Sequence, residues 1–301
     1  VGAATNRFHE MDVFVRVVAA GGFSAAARAV GMTPSAVSKL VARLEARLGV
    51  QLVNRTTRAF QLTAEGSAFH ERARAILDEL ADAERGAGAE AEVAGRVRIN
   101  TSATYLVHVL APALPAFLAA HPELEVDIDV TDRVVDLYDV RADIGVRAGP
   151  LASSELLARR LGSTKHSLVA APTYLEAHGV PRSFGDLDGH RRIGFGYVRA
   201  EDHWPLRRGD TVARIAPEPQ VRASDGEGIR RLALAGAGIA RLAEFAVRGD
   251  LTAGRLVVIP GFEDAAEPKV FHAVHMGRRG LIPARVEAVL DFLAREGRVA
   301  P

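Results

Sequence analysis

The stretch SAAARAVGMTPSAVSKLVARLEARLG, Ser24 to Gly49, constrains the fold most. It reads as two helices joined by a tight turn. Ser24 is placed to cap the first, and Gly31 to end it in a left-handed conformation. Thr33 and Pro34 then restart the helix as cap and first helical residue, because proline's missing N–H costs nothing there. Val37, Leu40, Val41, Leu44 and Leu48 recur at helical spacing and predict a buried stripe. Ser35, Ser38, Lys39 and Arg43 lie off that stripe. A helix with one apolar side, and short hydroxyls plus cations on the other, suits the major groove of DNA. Taken alone, such a helix is as well explained by solvated surface. The order of the signals around it separates the two readings.

Ala25, Ala26 and Ala27 form a small-residue patch that lets two helices approach closely. Upstream, Phe14, Val17 and Val18 make a helical face able to cover both, and Gly21 and Gly22 end that helix. Downstream, Gln51 to Leu62 has the pattern of a hairpin with Asn54, Arg55, Thr56, Thr57 and Arg58 at its tip. A cationic tip beside a recognition helix can reach phosphates or the adjacent minor groove. Three helices and a wing predict a winged helix-turn-helix over residues 1–63. Charge supports this. Residues 1–62 hold eight cations and three acids, a net +5, so the rest of a chain of net +1 carries −4. A basic front on an acidic body is the footprint of a DNA-binding module fused to something else.

Thr63 caps a further helix, in which Phe69, Ala73, Ile76, Leu80, Ala83 and Ala87 alternate steps of four and three. That is the seam of a two-stranded coil, so residues 64–92 are expected to form a dimerisation linker. The competing reading is an amphipathic helix packed on its own domain. Two recognition helices a fixed distance apart would match an operator of two half-sites. Gly86, Gly88 and Gly95 bracket a hinge. From residue 96 onward strand and helix patterns alternate, which predicts α/β architecture. Strands are expected at 96–100, 124–131, 143–147, 167–171, 192–195, 256–259 and 271–275. Helices are expected at 134–140, 173–178, 228–235 and 284–295.

The run FSAAARAVGMTPSAVSKLVARLEARLGVQL followed by NRTTRAFQLTAEG resembles the LysR-type transcriptional regulators. It joins helix-turn-helix, wing and linker start at that family's spacing, and weaker resemblance covers nearly the whole chain. Val53 departs from the family's usual phenylalanine, which alters packing under the wing. The resemblance implies a dimer through the linker helix, assembled into a homotetramer, with RNA polymerase as a further candidate partner. It also implies an effector-binding domain over 93–301, two α/β lobes similar to periplasmic solute-binding proteins. Lobe one would take 95–163 and 265–301, and lobe two 164–264.

In such a body the ligand lies between lobes, at strand ends and helix starts. Ser102, Ala103 and Thr104 open a helix whose unpaired N–H groups favour a carboxylate or phosphate, although an ordinary N-cap has the same sequence. The family's effector segment falls there. Thr131 ends one strand and faces the same cleft. Arg147 ends the next, ready to pair with an anion or with Asp143. Ser224, Asp225 and Gly226 precede the facing helix. His203 and Trp204 are further candidates, though a lone tryptophan is more often core. The expected effector is a small organic anion that changes the angle between lobes.

Several functions lack their residues. With no cysteine there is no disulfide, thiolate metal site or thiol sensor. The ten histidines show no ligand spacing, so neither metal nor cofactor is expected. Gly236-Ala237-Gly238 follows a helix rather than a strand, and Arg241 stands where a third glycine belongs, against a dinucleotide loop. No G-x-S-x-G elbow or other catalytic constellation is visible. Arg207-Arg208 and Arg278-Arg279 read as solvated surface. No apolar run long enough to span a bilayer and no signal-peptide core stand out, so a cytoplasmic protein is expected. The rival to a DNA-binding regulator is a solute-binding module. A basic N-terminal domain is foreign to that class.

Overall fold

A computed structural model of the chain describes residues 6–56, 59–86, 93–133, 142–150, 157–197, 203–275 and 282–300. They form two units, divided between Glu92 and Val93.

The first unit holds α1 (Arg7–Ala19), α2 (Phe23–Ala29), α3 (Pro34–Leu48), the hairpin β1 (Val53–Thr56) and β2 (Ala59–Leu62), and α4 (Ala64–Gly86). Val13, Phe14, Val17, Ala26, Ala27, Val37, Leu40, Val41 and Leu44 seal one core. Leu48 does not join it and is 37% exposed, because it lies at the last turn before Gly49 closes the helix at φ +73°. Nor does Ser24 cap α2. The helix begins one residue earlier, and Gly22 takes the cap position without a side-chain bond. Gly31 is left-handed at φ +65°, two residues beyond the helix end.

The start of α4 is locked to the hairpin. Thr63 Oγ1 accepts from Gly66 N–H and donates to the Gln51 carbonyl. Glu45, buried on α3, accepts the N–H groups of both Leu52 and Val53. Phe69 and Ala73 turn into this unit's own core, Phe69 meeting Phe14 at 5.7 Å between ring centroids. The first two seam positions thus pack at home, as the competing reading of the linker has it. Ile76, the third, is 44% exposed. Ala87 and Gly88 lie outside the described residues.

The second unit is α/β. After β3 (Gly95–Thr101) come α5 (Ala103–Tyr105), a π-helical turn (Leu106–Leu110) and α6 (Ala111–Ala120), one continuous stretch. Then follow β4 (Leu124–Val130), β5 (Ile144–Ala148) and β6 (Leu157–Thr164). With β15 (Lys269–His275) these build a five-stranded sheet of order β4-β3-β5-β15-β6. The helix α10 (Ala284–Arg295) packs into its core through Val289, Leu290 and Leu293. By length and composition Ala103–Ala120 would suffice to cross a membrane, which the reading for apolar runs overlooked. Here its Tyr105, Leu110 and Phe117 are sealed against the sheet, and Tyr105 donates to the Gly297 carbonyl. These contacts anchor one face of the segment in the core of this lobe.

The chain leaves this lobe between β6 and β7 (His166–Ala170) and returns between β14 (Glu263–Asp264) and β15. The second lobe lies between those crossings. It contains α7 (Pro172–His178), β8 (Ile193–Phe195), β9 (Trp204–Arg208), β10 (Thr211–Ile215), β11 (Val221–Ala223), α8 (Gly226–Leu234), β12 (Ala240–Ala243), α9 (Glu244–Thr252) and β13 (Val257–Val258). Its sheets run β12-β7-β13, β11-β8 and β10-β9-β14. Gly238, at φ +159°, passes so close to the Arg191 carbonyl that a Cβ would lie 2.4 Å from it. The glycine pair therefore serves the approach to β12. The helix expected at 134–140 lies outside the described residues.

Candidate nucleic-acid interface and effector cleft

On α3 the buried stripe leaves a clean opposite side. Thr33 accepts from the Ala36 N–H at 3.2 Å, and Pro34 follows at the first helical position. Thr33, Pro34, Ser35, Lys39 and Arg43 are exposed, and Ser38 is half-buried. The remaining cation of α3, Arg47, is spent inside the unit on the buried Glu10 at 3.3 Å. In the hairpin Arg55 stands opposite Phe60, and Thr56 opposite Ala59. Thr57 and Arg58, between them, lie outside the described residues.

The lobe junction of the second unit differs from its expected form. Ser102 caps α5, its Oγ accepting from Tyr105 N–H at 3.2 Å. Asp225 does the same for α8, accepting from Gly228 N–H at 2.7 Å. The open N–H groups of both helix starts meet a single carboxylate, that of Asp132. Its Oδ1 takes the Ala103 N–H at 3.1 Å and its Oδ2 the Gly226 N–H at 2.9 Å. A carboxylate between two helix N-termini is the favourable anion position that the sequence offers to an effector. The chain's own acid fills it. Tyr197 Oη, also from lobe two, donates to the Asp132 carbonyl at 3.0 Å.

A second tie lies one helical turn on. His108 Nε2 and Glu227 Oε2 are 3.0 Å apart. Burial pushes the Glu227 carboxyl up. The His108 hydrogen bond and the charge of Arg230 outweigh it and leave the group below the usual carboxylate range. Arg147 does not pair with Asp143, which accepts the Arg98 N–H at 2.7 Å instead. Its guanidinium donates to the Asn100 and Val146 carbonyls, and burial lowers its pKa against the opposing charge of Asp129. Thr131 Oγ1 accepts the Arg133 N–H, and Ser224 Oγ is spent on Asp225. Of the expected cleft residues, Ala103 joins the Asp132 junction directly, while Ser102, Thr131 and Ser224 bond within their own segments. Asp132, Tyr197, His108 and Glu227 were not anticipated. An acid two places past a strand end has no pattern that separates it from solvated surface. At the end of β3 the buried Asn100 Oδ1 and Thr101 Oγ1 have no hydrogen-bond partner among the described residues.

A winged helix-turn-helix with a free cationic helix face, in a chain that also folds a two-lobed α/β body, defines a ligand-responsive DNA-binding regulator. Comparison with known proteins narrows the class. Residues 8–67 match the family model described as bacterial regulatory helix-turn-helix protein, lysR family, and residues 90–298 match the LysR substrate binding domain. The chain belongs to the LysR family of transcriptional regulators. It is 37% identical over 289 residues to the regulator CrgA of Neisseria meningitidis serogroup C, covering 95% of this chain and 96% of that one. It is 31% identical to the transcriptional activator AaeR of Escherichia coli K12, covering 95% and 93%. The solved structure of Neisseria meningitidis CrgA aligns with TM-score 0.63 at 35% identity, over 96% of this chain and 98% of that one. These relatives are regulators and not enzymes.

Proposed function

We propose that this regulator grips a two-half-site operator as a homodimer joined through α4, paired again into a homotetramer, and that a small organic anion at the lobe junction alters the spacing of its DNA-binding units. The observation that carries the DNA contact is the exposed row Ser35, Lys39 and Arg43 opposite the sealed stripe of α3. Thr33, Pro34 and Ser38 complete the major-groove surface. Arg55, Thr57 and Arg58 hold the backbone or minor groove. The work takes place in the cytoplasm, with RNA polymerase as a neighbour on the promoter. Lys39→Ala or Arg55→Ala should weaken operator binding about tenfold and lower the slope of log affinity against log salt by roughly one. Fluorescence anisotropy over a salt series measures both. An unchanged slope for Arg55→Ala removes the wing from the interface.

For the effector, the proposed contacts are Ser102, Ala103, Thr104, Thr131, Arg147 and Ser224. The buried, unpartnered oxygens of Asn100 and Thr101 support a ligand nearby. An incoming carboxylate takes the two amides that Asp132 now holds. Asp132→Ser should therefore tighten the binding of small aliphatic carboxylates at least tenfold in calorimetry, roughly one charge-assisted hydrogen bond. Unchanged or weaker binding overturns an anionic effector at this position. The runner-up, a solute-binding module without its own DNA target, predicts that no duplex is bound at low ionic strength.

A further inference from the structure

Lobe two contains a cavity of about 420 Å³ lined by none of the junction residues named above except Tyr197. Its volume falls within the range of small-molecule pockets. Its walls are ring-rich. Phe195 and Tyr197 stand edge to face, 5.5 Å between centroids. Trp204 lines it from the lobe core at 6% exposure. Pro217, Glu218 and Pro219 form another wall, and Glu218 is held at φ +36°, the one non-glycine positive φ among the described residues. Backbone strain of this kind persists only where the surroundings over-determine it.

Charge on the wall is uneven. Arg241 is fully engaged with Asp264, at 2.8 Å in its closest contact. Arg222 also lines the cavity, is exposed, and has no acidic partner among the described residues. The larger groove beside Arg230 and Arg255 is different, because both of those cations are tied to Asp250.

We infer that this cavity binds a small aromatic acid, its ring against Phe195, Tyr197 and Trp204 and its carboxylate on Arg222. Offset and edge-to-face contacts reward a planar ring over an aliphatic one of equal area, and a guanidinium meets a carboxylate through two parallel hydrogen bonds. The site also has a route to the junction. Tyr197 carries the hydroxyl that holds the Asp132 carbonyl, and Ile229, on the cavity wall, belongs to the helix whose first N–H holds the Asp132 carboxylate. Occupancy on one side of Tyr197 therefore bears on the tie between lobes. Only this last step rests on the regulatory reading above. Binding itself does not.

Trp204 is the chain's only tryptophan, so its emission reports on this cavity alone. Full-length protein is titrated with para-nitrobenzoate, correcting for absorption by the probe. Saturable quenching is expected, with cyclohexanecarboxylate displacing the probe at least tenfold less well than benzoate. Arg222→Gln should raise the dissociation constant for para-nitrobenzoate about tenfold and leave that of the neutral para-nitrobenzyl alcohol unchanged. Phe195→Leu, which keeps the bulk and removes the ring, should weaken both. Linear quenching like that of free N-acetyltryptophanamide overturns the site. Saturable quenching indifferent to Arg222→Gln overturns the acid, and equal displacement by cyclohexanecarboxylate overturns the aromatic preference. Probe binding that follows these expectations while the operator footprint stays fixed overturns the link to the junction and leaves the site.

Discussion

Gly66→Ala should abolish operator binding by the intact chain at ambient temperature while the second unit keeps its own thermal transition. A Cβ at Gly66 would lie 1.9 Å from the Leu52 carbonyl oxygen and 2.8 Å from its carbon. Both atoms are backbone, and neither can rotate away. Leu52 is itself pinned, its N–H on Glu45 and its carbonyl accepting from Thr63 N–H. Relief requires α4 to slide off the hairpin, breaking the Thr63 cap and pulling Phe69 from the core. Loss of a cap costs about 1 kcal/mol, and overpacking typically 1–3 kcal/mol more. A small basic domain has little stability to lose. Calorimetric scanning should show the lower transition falling by 10 °C or more, on the order of 4–8 °C per kcal/mol for a domain of this size. A variant that binds operator with native affinity and melts normally would show that α4 and the hairpin are not locked together through this glycine.

Asp250→Ala should have a comparable effect on lobe two. The side chain is fully buried and accepts from Arg230 at 2.6 Å and from Arg255 at 2.7 and 2.9 Å. Arg230 is itself nearly buried and is left with Glu227 alone, at 2.7 Å, so the loss is that of a charge-assisted hydrogen bond inside the lobe, about 1.5–3 kcal/mol. Arg255 is 58% exposed and contributes little of that. Burial pushes the Asp250 carboxyl up, and the bonds and charges of Arg230 and Arg255 overcome it, so the folded group titrates below its ordinary value. The sign follows. This stabilisation is fully present above the unfolded pKa, about 3.9 for Asp, and is lost as pH falls through the folded value. Wild type should therefore lose melting temperature in strong acid more steeply than Asp250→Asn, which starts lower and has no proton to gain at that position. Parallel acid profiles for the two proteins would remove the ion pair from the stability of this lobe.

The parts of this fold legible in the sequence are those where one short-range rule dominates. Thr33-Pro34 reads as a helix start because cap chemistry is local. The stripe from Val37 to Leu44 reads as core because a helix repeats every 3.6 residues. Ala284–Arg295 follows from the same rule. The strands Leu157–Thr164, Trp204–Arg208 and Thr211–Ile215 were not foreseen, since arginines interrupt their apolar alternation. Arg159 illustrates this. It sits in β6 and bonds Glu287 and Asp291, more than a hundred residues away in sequence. The lobe junction was hidden for the same reason. Asp132 meets Ala103 within lobe one, but meets Gly226 only after the chain has crossed into lobe two, and no spacing within the sequence encodes that meeting.

The Asp132 carboxylate has a consequence for dose and response. A group tethered by its own backbone competes at an effective concentration of about millimolar for short connections. On the proposed anionic-effector reading, an anion arriving at the two amides would not enter a vacancy; it would evict a resident. The concentration at which the response turns would then be set as much by the resident's hold as by the newcomer's affinity. One acidic side chain could thus raise or lower the threshold of response without any change in what is recognised.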